Sequence, residues 1–146
     1  MKRLLMTGLF VALILLGVSC GTNSNKNNNV SGNWTATLTG TNGSPNFAFT
    51  LTMFQNSDNT ISVTNLNFTT ASPCFAGGAT ANGGFTLSGN FNGNVNGALT
   101  LVVQSNTSPT NTLNLNGTVQ NNNISGTWTL VGGSGCTGAG NFTMIR

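Results

Sequence analysis

From residue 31 onward the apolar residues of this chain recur at every second position. Trp34, Ala36 and Leu38 alternate with Thr35, Thr37 and Thr39, and Phe47, Phe49, Leu51 and Met53 continue in the same way. Side chains two apart share one face of a β-strand, so this spacing builds strands with one apolar and one polar face. Ile61 and Val63 extend the pattern, but Leu66 and Phe68 fall on the opposite parity. One extra residue, a bulge or short turn near Asn65, would restore them to the apolar face. Phe85, Leu87 and Phe91 mark another strand, followed by Val95, Leu99, Leu101 and Val103, then Leu113, Leu115 and Val119, then Ile124, Trp128 and Leu130. Phe142, Met144 and Ile145 mark the last.

Turn signals separate these runs: Asn42-Gly43, Ser57-Asp58-Asn59, Asn92-Gly93, Ser108-Pro109 and Asn121-Asn122-Asn123. Such residues tolerate the positive φ of tight hairpins, so successive strands are expected to be antiparallel neighbours. No stretch past residue 20 shows the i, i+3, i+4 spacing of an amphipathic helix. About eight strands in one domain fit an all-β fold, either a small antiparallel up-and-down β-barrel or a β-sandwich, and the barrel is preferred. Gly89, Gly97, Gly117 and Gly126 lie at inward phase within strands, where a small sheet must bend. Val30-Ser31-Gly32-Asn33-Trp34-Thr35 and Ile124-Ser125-Gly126-Thr127-Trp128-Thr129 nearly repeat one another, as two strands meeting the same demands would. A membrane-embedded barrel also alternates at period two, but the wealth of Gly and Asn and the absence of Tyr for interfacial girdles argue against it.

Charge is nearly missing. The 146 residues hold four Lys and Arg, one acidic residue and no His, so 3% are charged against about a quarter in an average soluble domain. Past residue 20 only Lys26, Asp58 and Arg146 remain. A basic surface that neutralises nucleic-acid phosphates needs many cations, so nucleic acid is set aside as a partner. Disordered chains pair low hydrophobicity with high net charge, whereas this one is 38% hydrophobic and regularly patterned.

The first twenty residues have a different logic. Lys2 and Arg3 open the chain, Leu4 to Leu16 are mostly apolar, and Gly17-Val18-Ser19 precedes Cys20, the order of a secretory signal peptide. The apolar run is shorter than the roughly 20 residues of a membrane-spanning helix and meets a polar Asn/Ser stretch. Leu16-Gly17-Val18-Ser19-Cys20 resembles the lipobox of bacterial lipoproteins, although the usual Leu three places before the cysteine is Gly17 here. The resemblance implies cleavage after Ser19, acylation of Cys20 and attachment to a lipid bilayer. Gly21 rather than Asp after the cysteine implies release to an outer membrane where the host has one. The chain then divides into a signal peptide (1–19), the lipidated cysteine with a flexible tether (20–30) and a single β domain (31–146).

With Cys20 removed, Cys74 and Cys136 remain as a pair in a compartment where disulfides persist, and they are expected to be bonded. Two cysteines with no histidine and one distant aspartate do not complete a tetrahedral zinc shell, so no metal is expected. Catalytic chemistry is equally short of groups. General acid–base work draws on His, Glu or Asp, and a hydroxyl nucleophile needs an adjacent base. Only Asp58, in a turn, and Lys26, on the tether, are present. Asp58 is read as a turn cap, since one carboxylate falls far below a calcium loop's ligand set. The glycine-rich runs Ala76-Gly77-Gly78-Ala79 and Gly132-Gly133-Ser134-Gly135 lack the lysine of a phosphate loop and read as flexible connections.

The segments Ser31-Gly32-Asn33-Trp34, Ser72-Pro73-Cys74-Phe75, Asn123-Ile124-Ser125-Gly126-Thr127-Trp128 and Gly135-Cys136-Thr137-Gly138, with Gly140-Asn141-Phe142-Thr143-Met144, resemble a group of small bacterial lipoproteins with Thr/Ser/Gly-rich β domains. That group supplies no activity. Gly32-Asn33-Trp34 is also similar to the glycine-x-tryptophan opening of lipocalins and their avidin-like relatives, where tryptophan plugs the barrel base. Biotin binding is not implied, because avidin-type sites use tyrosine, which is absent here. Two functional classes follow. One is a noncatalytic interaction module of the cell envelope, meeting a protein or glycan partner. The other is a lipocalin-like carrier of a small apolar ligand, with Trp34, Phe49 and Trp128 lining its pocket. No cofactor is expected in either.

Overall fold

A computed structural model describes residues 29–70, 73–75, 85–93, 97–106 and 110–146. Eight strands follow one another: β1 (Gly32–Gly40), β2 (Phe47–Gln55), β3 (Thr60–Phe68), β4 (Phe85–Phe91), β5 (Gly97–Ser105), β6 (Thr112–Gln120), β7 (Asn123–Val131) and β8 (Gly138–Ile145). Each pairs antiparallel with its predecessor, and β8 returns to β1 to close an up-and-down barrel. The β-sandwich alternative is thereby excluded. Closure runs over six residue pairs, from Thr35 opposite Ile145 to Gly40 opposite Gly140. Residues 1–28, with Cys20 expected to be lipidated, Val95 and the Ala76–Ala79 run lie outside the described residues, as does the side chain of Phe85.

The alternation sorts the side chains as its period dictates. Trp34, Ala36, Leu38, Phe47, Phe49, Leu51, Met53, Leu99, Leu101, Val103, Leu113, Leu115, Ile124, Trp128, Phe142 and Met144 are buried in one continuous core. Thr35, Thr37, Thr39, Thr100, Asn116, Thr127, Asn141 and Thr143 are exposed. The apolar face therefore points inward, the reverse of a membrane-spanning barrel. Ile145 is a correction to the sequence reading: one place past Met144, it takes the outward parity and is exposed. Val30, assigned above to the tether, is fully buried, so the packed domain starts one residue earlier than the sequence suggested.

The parity break in β3 is a bulge. Thr50 pairs with Asn67 and Thr52 with Thr64, so Asn65 and Leu66 together oppose Leu51. Asn65 takes φ 52°, and the extra residue turns Leu66 into the core. At the first hairpin, Asn42 and Gly43 have φ 52° and 79°, and the Ser44 N–H donates to the Thr41 carbonyl at 2.9 Å. That is the backbone an Asn-Gly hairpin demands. The seam between β3 and β4 is the thinnest, with Thr60 opposite Asn90 and Ile61 opposite Gly89.

Gly117 of β6 faces Gly126 of β7. Gly126 also pairs with Phe142 of β8, whose ring lies against Gly117. A Cβ on Gly117 would sit 2.6 Å from Phe142 Cζ and 3.0 Å from the Ser125 carbonyl. The missing side chain of Gly117 is what admits the ring, a phenylalanine packed over a strand glycine, while a Cβ on Gly126 would run into the Asn116 and Gly117 backbone. Gly117→Ala is expected to destabilise the domain by about 1–3 kcal/mol, the usual cost of overpacking, as a lower urea midpoint at unchanged slope.

Candidate functional site

The three aromatics proposed to line a pocket do not meet in one place. Trp34 lies near the start of β1, at the end of the barrel where residues 29–31 enter. Its indole Nε1 donates to the Val30 carbonyl at 2.8 Å. Trp128 lies toward the other end, opposite Gly140, and its Nε1 donates to the Thr39 carbonyl at 3.3 Å. The strands of a closed barrel are staggered, so two similar motifs on β1 and β7 come to rest at different heights. Both indole N–H groups are thus committed to backbone carbonyls, as buried tryptophans require.

Phe49 belongs with the Trp128 end through a chain of ring contacts. Its ring meets Phe68 edge-on at 5.3 Å, Phe68 meets Phe47 at 6.3 Å, and Phe47 meets Trp128 at 5.5 Å. The cluster gains a member that sequence reading left out. Phe75, on a short 3₁₀ turn at Pro73–Phe75, stacks on Phe68 at 4.7 Å and meets Phe47 edge-on at 5.8 Å. No alternation could reveal it, because Phe75 belongs to the β3–β4 connection and not to a strand.

What holds that turn against the barrel is a disulfide and one asparagine. Cys74 and Cys136 are bonded, with Cα atoms 5.5 Å apart, joining the β3–β4 connection to the β7–β8 loop. Asn111, buried just before β6, donates from Nδ2 to the Cys74 carbonyl at 2.9 Å. Its Oδ1 accepts from the Gly133 N–H at 3.1 Å, and its N–H donates to the hydroxyl of buried Ser105 at 2.8 Å. Three connections at the Trp128 end are therefore stapled together. Among the described residues no buried side-chain polar atom lacks a partner.

The Trp34 end has a different lock. Arg146 donates from Nη1 to the carbonyls of Asn29 and Ser31, both at 2.9 Å, and from Nη2 to Asn122 Oδ1 at 2.8 Å. Its guanidinium carbon lies 5.3 Å from the centre of the Trp34 ring. One planar cation thus ties the entering segment, the β6–β7 turn and the first indole together.

Two open concavities lie on the outside of the barrel. One groove of about 250 Å³ on the β1–β2 side combines Asn33, Thr35, Thr52 and Arg146 with Leu51 and Ile145. Another of about 270 Å³ runs over β5, β6 and β7 at Thr100, Asn116, Thr118, Ser125 and Thr127. In the first, the Thr52 hydroxyl donates to Asn33 Oδ1 at 2.7 Å. The interior pocket of the carrier alternative is not where these grooves lie, and the Thr/Asn face of the interaction module had no groove assigned to it from sequence; Asn65 of the bulge lines the first groove and Gly117 and Gly126 line the second.

No protein-family model matches the chain, and no curated protein or solved structure matches it either. The chemistry must be read from the side chains alone. Among the described residues no group of three or more His, Cys, Asp or Glu gathers to hold a metal. Asp58 caps the β2–β3 turn: its Oδ1 accepts from the Thr60 hydroxyl at 2.6 Å and the Thr60 N–H at 3.0 Å. The hydroxyl first, then the amide, hold its carboxyl below the ordinary value.

Two outcomes are expected. Asn111→Ala removes the bonds that its side chain makes to the Gly133 N–H and the Cys74 carbonyl, and should destabilise the domain by about 2–3 kcal/mol. Opening the disulfide, which spans 62 residues, should cost about 4 kcal/mol on loop entropy, both read by chemical denaturation. The pH response follows from Asp58, whose depressed pKa contributes stability that is fully present above its unfolded pKa and lost as pH falls through the folded one. With no His or Glu in the chain, the thermal midpoint should be flat between about pH 5 and 8. It should fall only in more acidic solution, and Asp58→Asn should remove that fall.

Proposed function

We propose that this chain is a noncatalytic interaction module of the cell envelope, anchored to a lipid bilayer through acylated Cys20. Residues 1–19 act as the signal peptide, the following stretch acts as the tether, and the destination is the outer membrane in a host that has one. The barrel presents a neutral face of Thr, Asn and Ser to a protein or glycan partner.

The observation that carries this reading is the use of the interior. Trp34, Phe49 and Trp128, the side chains best suited to grip an apolar ligand, are each buried, and both indoles already bond to backbone. Ligand pockets leave a few convergent polar groups facing empty space, whereas here the inward side chains pack on one another. The outer face carries the exposed Thr, Asn and Ser side chains, some of which border open grooves at β1–β2 and β5–β7. Uncharged hydroxyl and amide groups recognise by hydrogen bonds and shape rather than by long-range attraction. Noncatalytic action is supported by the acid–base inventory, since Asp58, the one carboxylate, is spent on Thr60 in a turn.

Native mass spectrometry of the mature protein, before and after organic extraction, tests the reading. The expected species starts at Cys20, carries covalent lipid and releases no small molecule on extraction, and Cys20→Ser should leave the precursor uncleaved and lipid-free. A co-purifying apolar molecule removed by extraction would instead favour the lipocalin-like carrier.

A further inference from the structure

Chain direction gives the two ends of the barrel distinct surroundings. Residues 29–31, the β2–β3, β4–β5 and β6–β7 turns and Arg146 share one end. The β1–β2 turn, the β3–β4 connection with its disulfide, the β5–β6 turn and the β7–β8 loop share the other. Three large apolar side chains among the described residues are exposed: Phe54 by 50%, Ile145 by 59% and Val131 by 63%. Phe54 follows Met53, the partner of Gly32, and Ile145 precedes Arg146, so both lie toward the end where the tether joins. Val131 closes β7 at the opposite end.

We infer that the Phe54 and Ile145 rim is a membrane-contact surface, which seats the barrel on the bilayer that holds Cys20 and turns the disulfide end outward. This rests on the lipid anchor proposed above. Eight residues separate Cys20 from Asn29, a length of chain whose ends lie about 16 Å apart on average for an unstructured polymer. Asn29 is itself held to the rim by Arg146. The rim is therefore confined close to the lipid surface, at the roughly millimolar effective concentration that a short tether imposes. Under that confinement two apolar side chains suffice for a contact that would be negligible from free solution, each entering the headgroup boundary as interfacial apolar residues do. Arg146 and Asp58 place one charge of each sign at this end, so the contact does not depend on anionic lipid. The stapled loops are then left facing away from the membrane.

The test uses the full-length protein, processed in its host and reconstituted into phosphatidylcholine vesicles with brominated acyl chains. Phe54→Trp and Val131→Trp each add a reporter at an exposed position, measured against the parent protein with its two buried indoles. The expected result is a blue shift and loss of most of the added emission for Phe54→Trp, with Val131→Trp unaffected. Lipid-bearing protein in which Phe54→Trp is unquenched, or in which Val131→Trp is quenched equally, overturns the seated orientation and leaves the anchor standing. Protein whose mass shows no lipid on Cys20 overturns the anchor, and this inference with it.

Discussion

The structure depends on the seam between β1 and β8. A chain with 3% charged residues cannot protect an open sheet edge with lysines and inward-pointing charges, the usual defence against edge-to-edge pairing. Six paired positions from Thr35–Ile145 to Gly40–Gly140 remove the edge altogether. The same closure turns every apolar face inward at once, so that a surface of threonine and asparagine can keep the domain hydrated without net charge. The bulge at Asn65 and the Gly117–Gly126 pair serve the seam, because a flat eight-stranded sheet would not bring its first and last strands together.

Each end of the closed barrel is then held by its own device. At the entry end one cation, Arg146, gathers two backbone carbonyls, Asn122 and the Trp34 ring. At the other end the Cys74–Cys136 bond and the buried Asn111 hold the 3₁₀ turn so that Phe75 completes a ring cluster with Phe68 and Phe47. An entry end gathered by Arg146 and a cross-linked far end give the molecule a direction, and the outer wall between them holds the two grooves.

Much of the fold was legible because its signals are local. Alternation in Trp34–Thr39 and Phe47–Met53, the Asn42-Gly43 hairpin, the parity break at Leu66 and the inward glycines each act within a few residues. Each was found where the pattern placed it. The candidate site was less legible. Trp34, Phe49 and Trp128 share parity and size, which says that they face the same interior but not at what height. Phe75 and Asn111 carried no periodic signal, and their roles exist only because distant connections meet.

The sequence by itself determined that this chain makes antiparallel strands with a single apolar face and that the domain holds almost no acid–base chemistry. These follow from composition and period, which need no knowledge of neighbours. Tertiary structure alone decided the stagger of the closed barrel, and with it the separation of the two tryptophans and the meeting of Phe75 and Asn111 with distant connections. Period two says which face a residue takes. Its position along the barrel axis is set by how eight strands slide past one another when the last must meet the first.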